Sequence, residues 1–272
     1  MKMSFFFDVW TYDGFVLASD VRLMVNDQPD YAHKIVAATY NSRVRCAIAV
    51  SGVSPEKCAN LFFEAISKKD TMREVAQYFA SKWTDHYAGT EEYSAVHLVG
   101  FEEVHTIGKH VPQMWYWHTW EDGGTGFLSE ERLRKDLSTF TEPVPANNHI
   151  PRAVKELTGK FPGPTLEEEY SLVASFLHLY QPFFTWNGDT AFWRSAANTV
   201  GSAMNLLWRV KTAWTIDEAV KLTTHCLEFL IRVGNLLPES TIGFSPDEEF
   251  DVLVVTSNEL KWISRSKLSR DA

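Results

Sequence analysis

The stretch SFFFDVWTYDGFVLASDVR, Ser4 to Arg22, decides the fold. Two β-prone runs, Phe5 to Thr11 and Phe15 to Ser19, flank Tyr12-Asp13-Gly14. An Asp-Gly pair between such runs is the strongest short-range hairpin signal, because glycine supplies the positive φ that tight primed turns require. Asp8 ends the apolar run after Phe5, Phe6 and Phe7, too early for the apolar core of a secretory signal.

Outward from this hairpin, His33 to Thr39 and Val44 to Ser51 read as a second one, turning at Tyr40-Asn41-Ser42-Arg43. Two helices follow. Ser54-Pro55 is an N-cap with a first-turn proline and opens Glu56 to Lys68; Thr71 and Glu74 have capping-box spacing and open a helix to about His86. Strands return at Ser94 to Gly100 and Gln113 to Trp120. Between 121 and 187, Gly123-Gly124 and Pro143, Pro145, Pro151, Pro162 and Pro164 break the pattern into short helical pieces, Thr165 to Leu179 the clearest. This reads as a helical insertion within a single domain spanning 1–272. Asp189 to Lys211 and Thr215 to Val233 read as amphipathic helices, and Phe250 to Thr256 with Leu260 to Ser264 as a last hairpin. Strands contributed from both ends of the chain, with helical pairs between them, predict an α+β fold, a four-layer αββα sandwich.

Composition narrows the partners. The chain has 272 residues, 45% of them hydrophobic, and a formal charge of −9, which suits a folded domain and disfavours nucleic acid, whose binding needs clustered Lys and Arg. No apolar run reaches the 18 or so residues of a membrane helix. Cys46, Cys58 and Cys226 have neither disulfide-framework nor metal spacing, and the expectation is a cytoplasmic protein without a cofactor. His105, His110 and His118 lie near Glu102 and Glu103 but lack ligand spacing, so no metal site is expected.

The residues Asp13-Gly14, Val16 to Asp20 and Arg22, followed by His33-Lys34-Ile35 and Ala47 to Gly52, carry a resemblance: the segment is similar to the front of a proteasome β-type subunit, an N-terminal-nucleophile (Ntn) hydrolase. Thr241-Ile242-Gly243 and Phe250 to Thr256 similarly resemble that family's closing loop and strand. Asp20 lies sixteen positions after Ser4 and Arg22 eighteen, as the resemblance requires; Lys34 falls about two positions early, across a shorter Met24 to Tyr31 connection. The resemblance implies an Ntn-hydrolase-like fold and a peptidase or amidohydrolase acting on peptide or protein. Ser4 would be the nucleophile once Met1 to Met3 are removed, Lys34 and Asp20 its tuning pair, Arg22 the support of Asp20, and Gly52 an oxyanion donor. A serine hydroxyl needs a base within reach, and a freed α-amino group on the same residue supplies one. Because Lys2 and Met3 are both large, exposing Ser4 requires self-cleavage or a protease. The resemblance also implies self-association.

The bland readings stand beside these. Asp20 and Lys34 also suit an ordinary ion pair, and Ser4 an ordinary strand-start serine; a non-catalytic homologue serving as an assembly or protein-recognition module is the alternative function. Cys46 shares a strand face with Val44 and Ile48 and reads as a buried structural thiol. His225 reads as a satisfied core histidine beside Cys226. Strand alternation sends Trp115 and Trp117 one way and Tyr116, His118 and Trp120 the other, toward a core or a groove. Ser129 to Lys135 reads as a solvated helical face.

Overall fold

The computed structural model describes residues 5–11, 14–25, 28–41, 44–52, 55–104, 109–119, 126–129, 131, 133, 183–188, 215–234 and 250–266. Ser4, the helices expected at Thr165 to Leu179 and Asp189 to Lys211, and four of the seven residues from Ser129 to Lys135 fall outside them.

The opening hairpin forms as the Asp-Gly signal predicts: β1 (Phe5–Thr11) runs antiparallel to β2 (Gly14–Asp20), with Phe6 opposite Ser19 and Thr11 opposite Gly14. Gly14 has a second reason to be glycine, since a Cβ there would lie 2.2 Å from the Val255 carbonyl oxygen. A two-stranded ribbon follows, β3 (Arg22–Val25) on β4 (Gln28–Tyr31). Then come β5 (Ile35–Asn41), β6 (Val44–Gly52), α1 (Pro55–Lys68), α2 (Met72–Tyr87), β7 (Ser94–Val104) and β8 (Lys109–His118). The described elements close with β9 (Phe183–Gly188), α3 (Ile216–Gly234), β10 (Phe250–Thr256) and β11 (Leu260–Ser264).

The architecture is α+β with two antiparallel sheets. One has five strands in the order β11-β10-β2-β1-β9; the other has four, β5-β6-β7-β8. The two sheets share a core: Phe6, Trp10, Phe15, Leu17, Leu253 and Val255 from the first pack with Ile35, Ala47, Ala49, Ala95, Val99, Phe101 and Met114 from the second. The opposite face of the four-stranded sheet presents Cys46, Ile48, Val50, Val96, Leu98, Trp115 and Trp117, and on it sit Cys58, Phe62, Ala65, Val75, Phe79 and Trp83 of α1 and α2. The alternation expected for Trp115 and Trp117 therefore holds, and both fill a core. α3 contacts β1, β2 and β10, and β2 is buried along its whole length.

Local signals place the helix starts. The Thr71 side chain accepts from the Glu74 N–H and Glu74 reaches back to the Thr71 N–H, a complete capping box; Thr215 and Glu218 repeat it at α3. On α3, Ala219, Thr223, Cys226 and Leu227 are buried. His225 corrects the sequence reading. It is 77% exposed beside Glu228, because one residue along a helix is about 100° of rotation away from Cys226.

Candidate functional site

β1 begins where β2 ends and β10 begins, since Phe6 faces Ser19 and Phe250 faces Asp20. On the second sheet the same end of the molecule carries the start of β5 and the end of β6, because the Val50 N–H donates to the Lys34 carbonyl at 2.9 Å and Ile35 pairs with Ala49. Strand direction thus brings Asp20 and the first residue of β1 to one end of the first sheet and Lys34 and Gly52 to one end of the second, and the Lys34–Asp20 contact joins these two ends at a mouth between the sheets.

Lys34 Nζ lies 2.6 Å from Asp20 Oδ1, and the two side chains are 0% and 4% exposed. Burying an ion pair costs several kcal/mol of desolvation per ion, roughly repaid by their attraction, so such a pair is weak evidence for a stability device. Three successive residues carry the connection that delivers this ammonium. The Ala32 N–H donates to the Val21 carbonyl at 2.8 Å. His33 Nδ1 meets Asp251 Oδ2 at 2.6 Å. The Lys34 carbonyl is taken by Val50. Asp251 is fully buried, and its other oxygen accepts the Ser266 N–H at 2.8 Å.

Gly52 ends β6 with φ +107°, and a Cβ there would lie 2.0 Å from the Tyr93 carbonyl oxygen. Close packing against the lead-in to β7 demands glycine whatever its N–H does. That lead-in is itself pinned: the Ser94 N–H donates to Thr119 Oγ1 at 3.0 Å, Thr119 Oγ1 donates to the Glu92 carbonyl at 2.7 Å, and Trp83 Nε1 donates to Ser94 Oγ at 3.2 Å. Arg22 opens β3 opposite Tyr31, and its side chain lies outside the described residues, as Ser4 does. Cys46 is fully buried, and burial pushes its thiol up to about 12, which suits packing and not nucleophilic attack.

Two histidine–carboxylate pairs escaped the sequence reading. One is His33 with Asp251, 218 positions apart; the other is Asp8 on β1 with His97 on β7, whose Nδ1 lies 2.9 and 3.1 Å from the two carboxylate oxygens. The second pair bridges the two sheets inside their shared core. Its one sequence signal is the acidic residue interrupting Phe5 to Trp10 on the face of Phe6 and Trp10.

Neither a family model nor a curated protein matches the chain. Solved structures do. A mutant of Anbu from Hyphomicrobium sp. strain MC1 superposes with a TM-score of 0.54 at 12% identity, over 97% of this chain and 89% of that one. Anbu from the same organism gives 0.53 at 11%, over 97% and 89%. Anbu, described as the ancestral β-subunit, from Yersinia bercovieri gives 0.52 at 10%, over 97% and 88%. At these identities the likeness is one of fold, and it is the proteasome-β-like fold that the opening segment implied.

Proposed function

We propose that the protein is a proteasome-β-like peptidase or amidohydrolase whose nucleophile is Ser4, exposed by removal of Met1 to Met3, on a four-layer αββα sandwich. The observation that carries this reading is the buried Lys34–Asp20 pair at the mouth where β1 begins. Ser4 directly precedes Phe5, the first residue of β1, and this adjacency in sequence supports the reading.

In this reading the freed α-amino group of Ser4 takes the hydroxyl proton as Oγ attacks the substrate carbonyl carbon. The ammonium of Lys34 lowers the energy of the developing negative charge, and Asp20, supported by Arg22, keeps that ammonium in place. The oxyanion accepts from the Gly52 N–H. Collapse breaks the C–N bond, the α-ammonium returns its proton to the leaving nitrogen, and water then cleaves the Ser4 ester. Transfer of the acyl group to an amine would use the same groups. The substrate is a peptide or protein, the setting cytoplasmic, and the protein self-associates.

Intact mass after incubation with a peptide thioester tests the reading. A fraction beginning at Ser4 that gains the acyl mass, and loses both properties in Ser4→Ala, supports it. A chain retaining Met1 to Met3 and never acylated overturns it in favour of a non-catalytic assembly or recognition module.

A further inference from the structure

The connection 32–34 delivers a fully buried ammonium with no regular secondary structure of its own. Its backbone is held at each end, by Val21 through Ala32 and by Val50 through Lys34. The residue between is held by its side chain alone among the contacts described for it, through His33 Nδ1 on Asp251 Oδ2 at 2.6 Å. Asp251 is an unusual anchor for a connection without regular structure. It is fully buried on β10, its second oxygen is fixed by the Ser266 N–H, and its cross-strand neighbour is Ser19, next to Asp20. One rigid strand end therefore grips both sides of Lys34: β10 pairs with the strand that carries Asp20 and holds the residue preceding Lys34.

The geometry points to His33 as a positioning residue for Lys34: clamped by Asp251, it fixes the 32–34 connection so that the ammonium stays on Asp20, and thereby couples the mouth between the sheets to the last strand pair. Lys34's part in the chemistry rests on the reading proposed above; the way it is held does not. His33 is one-quarter exposed, so a replacement meets water on one side and the site survives small changes of shape. Neutral or charged, an imidazole that carries a proton on Nδ1 donates to this carboxylate, and what the clamp needs is an N–H at that position. Asparagine places its amide nitrogen near Nδ1, whereas glutamine places its own near Nε2, which faces away from Asp251.

The test is lysine acetylation of the full-length native protein with acetic anhydride, followed residue by residue by mass spectrometry. Exposed Lys82 and Lys261 serve as references, and alkylation of buried Cys46 reports global opening. Loss of one hydrogen bond to a buried charge frees local opening, so His33→Gln is expected to speed acetylation of Lys34 roughly tenfold or more. Cys46 and the reference lysines should be unchanged, and His33→Asn should stay within about twofold of wild type. Equal acceleration in Asn and Gln variants, no acceleration in either, or acceleration of Cys46 in step with Lys34 would each overturn the proposal. Because acetylation needs no turnover, a Lys34 held as described in a protein that never forms an acyl-serine would defeat the proposed function and leave the positioning role intact.

Discussion

Lys34 carries a charge where solvent does not reach, with Asp20 as the partner that makes this tolerable. Removing one member leaves the other uncompensated, and Lys34→Met is expected to cost about 3–5 kcal/mol in urea unfolding. The Asp20→Asn/Lys34→Met double variant should regain most of that loss while remaining unable to form an acyl-serine; a double variant as unstable as the single one would mean that the pair is not coupled. The thiols give a pH test. Burial raises Cys46 from 9.0 to about 12 and Cys226 likewise, and raises Cys58 to about 11 against the hydrogen bonds from Tyr87 and Ser94. Below pH 9 these thiols are neutral folded or unfolded. Above it the unfolded chain releases protons that the native state keeps, so stability falls by up to about 1.4 kcal/mol per pH unit for each thiol until its native pKa is passed. Cys46→Ala should flatten that alkaline slope, measured by urea midpoints from pH 8 to pH 11. At this scale the ion pair was legible through the resemblance carried by the segment from Ser4 to Lys34, because both partners lie within that one short stretch. His33 with Asp251 was not legible: nothing local marks two residues joined only when β10 meets β2.

Element boundaries divide by whether their cause is local. Thr71 and Glu74 announce α2 because a capping box is made by residues three apart, and Thr71→Ala should cost about 1 kcal/mol in thermal unfolding. β10 and β11 match their expected limits because turn residues bracket two apolar runs. The ribbon β3–β4 was hidden by Gln28-Pro29-Asp30, residue types depleted in strands, and proline is tolerated there because the ribbon has only two strands. β9 was hidden differently: Phe183–Gly188 closes a proline-broken stretch, and it is a strand because the edge of β1 pairs with it. Gly52 belongs to this scale as well. Its φ and the nearby Tyr93 carbonyl make Gly52→Ala a strained substitution at the end of the β6–β7 pairing, expected to cost at least about 1–3 kcal/mol. Unchanged stability with lost acylation would instead show that the backbone conformation of residue 52, which aims its N–H, matters to the chemistry and not to the fold.

Across the whole molecule, the two sheets meet over an apolar core crossed by the Asp8–His97 pair. His97→Leu takes the imidazole partner from a buried carboxylate and should cost about 3–5 kcal/mol, with Asp8→Leu/His97→Leu recovering much of it; failure to recover would mean that the pair shapes the core beyond charge. Self-association is expected from light scattering of the full chain, and a strictly monomeric mass at high concentration would remove it. The order β11-β10-β2-β1-β9 carries one more consequence, for biosynthesis. The β1–β2 hairpin lies inside its sheet, and its neighbour β10 is synthesised long after it. At 5–20 residues per second, the interval from Asp20 to Phe250 lasts roughly ten to fifty seconds. Throughout it the free edge of β2 offers unpaired N–H and C=O groups to any passing strand. Until β10 arrives that edge needs shielding, and a chain cut before Phe250 should be insoluble where the chain carrying β10 and β11 is not.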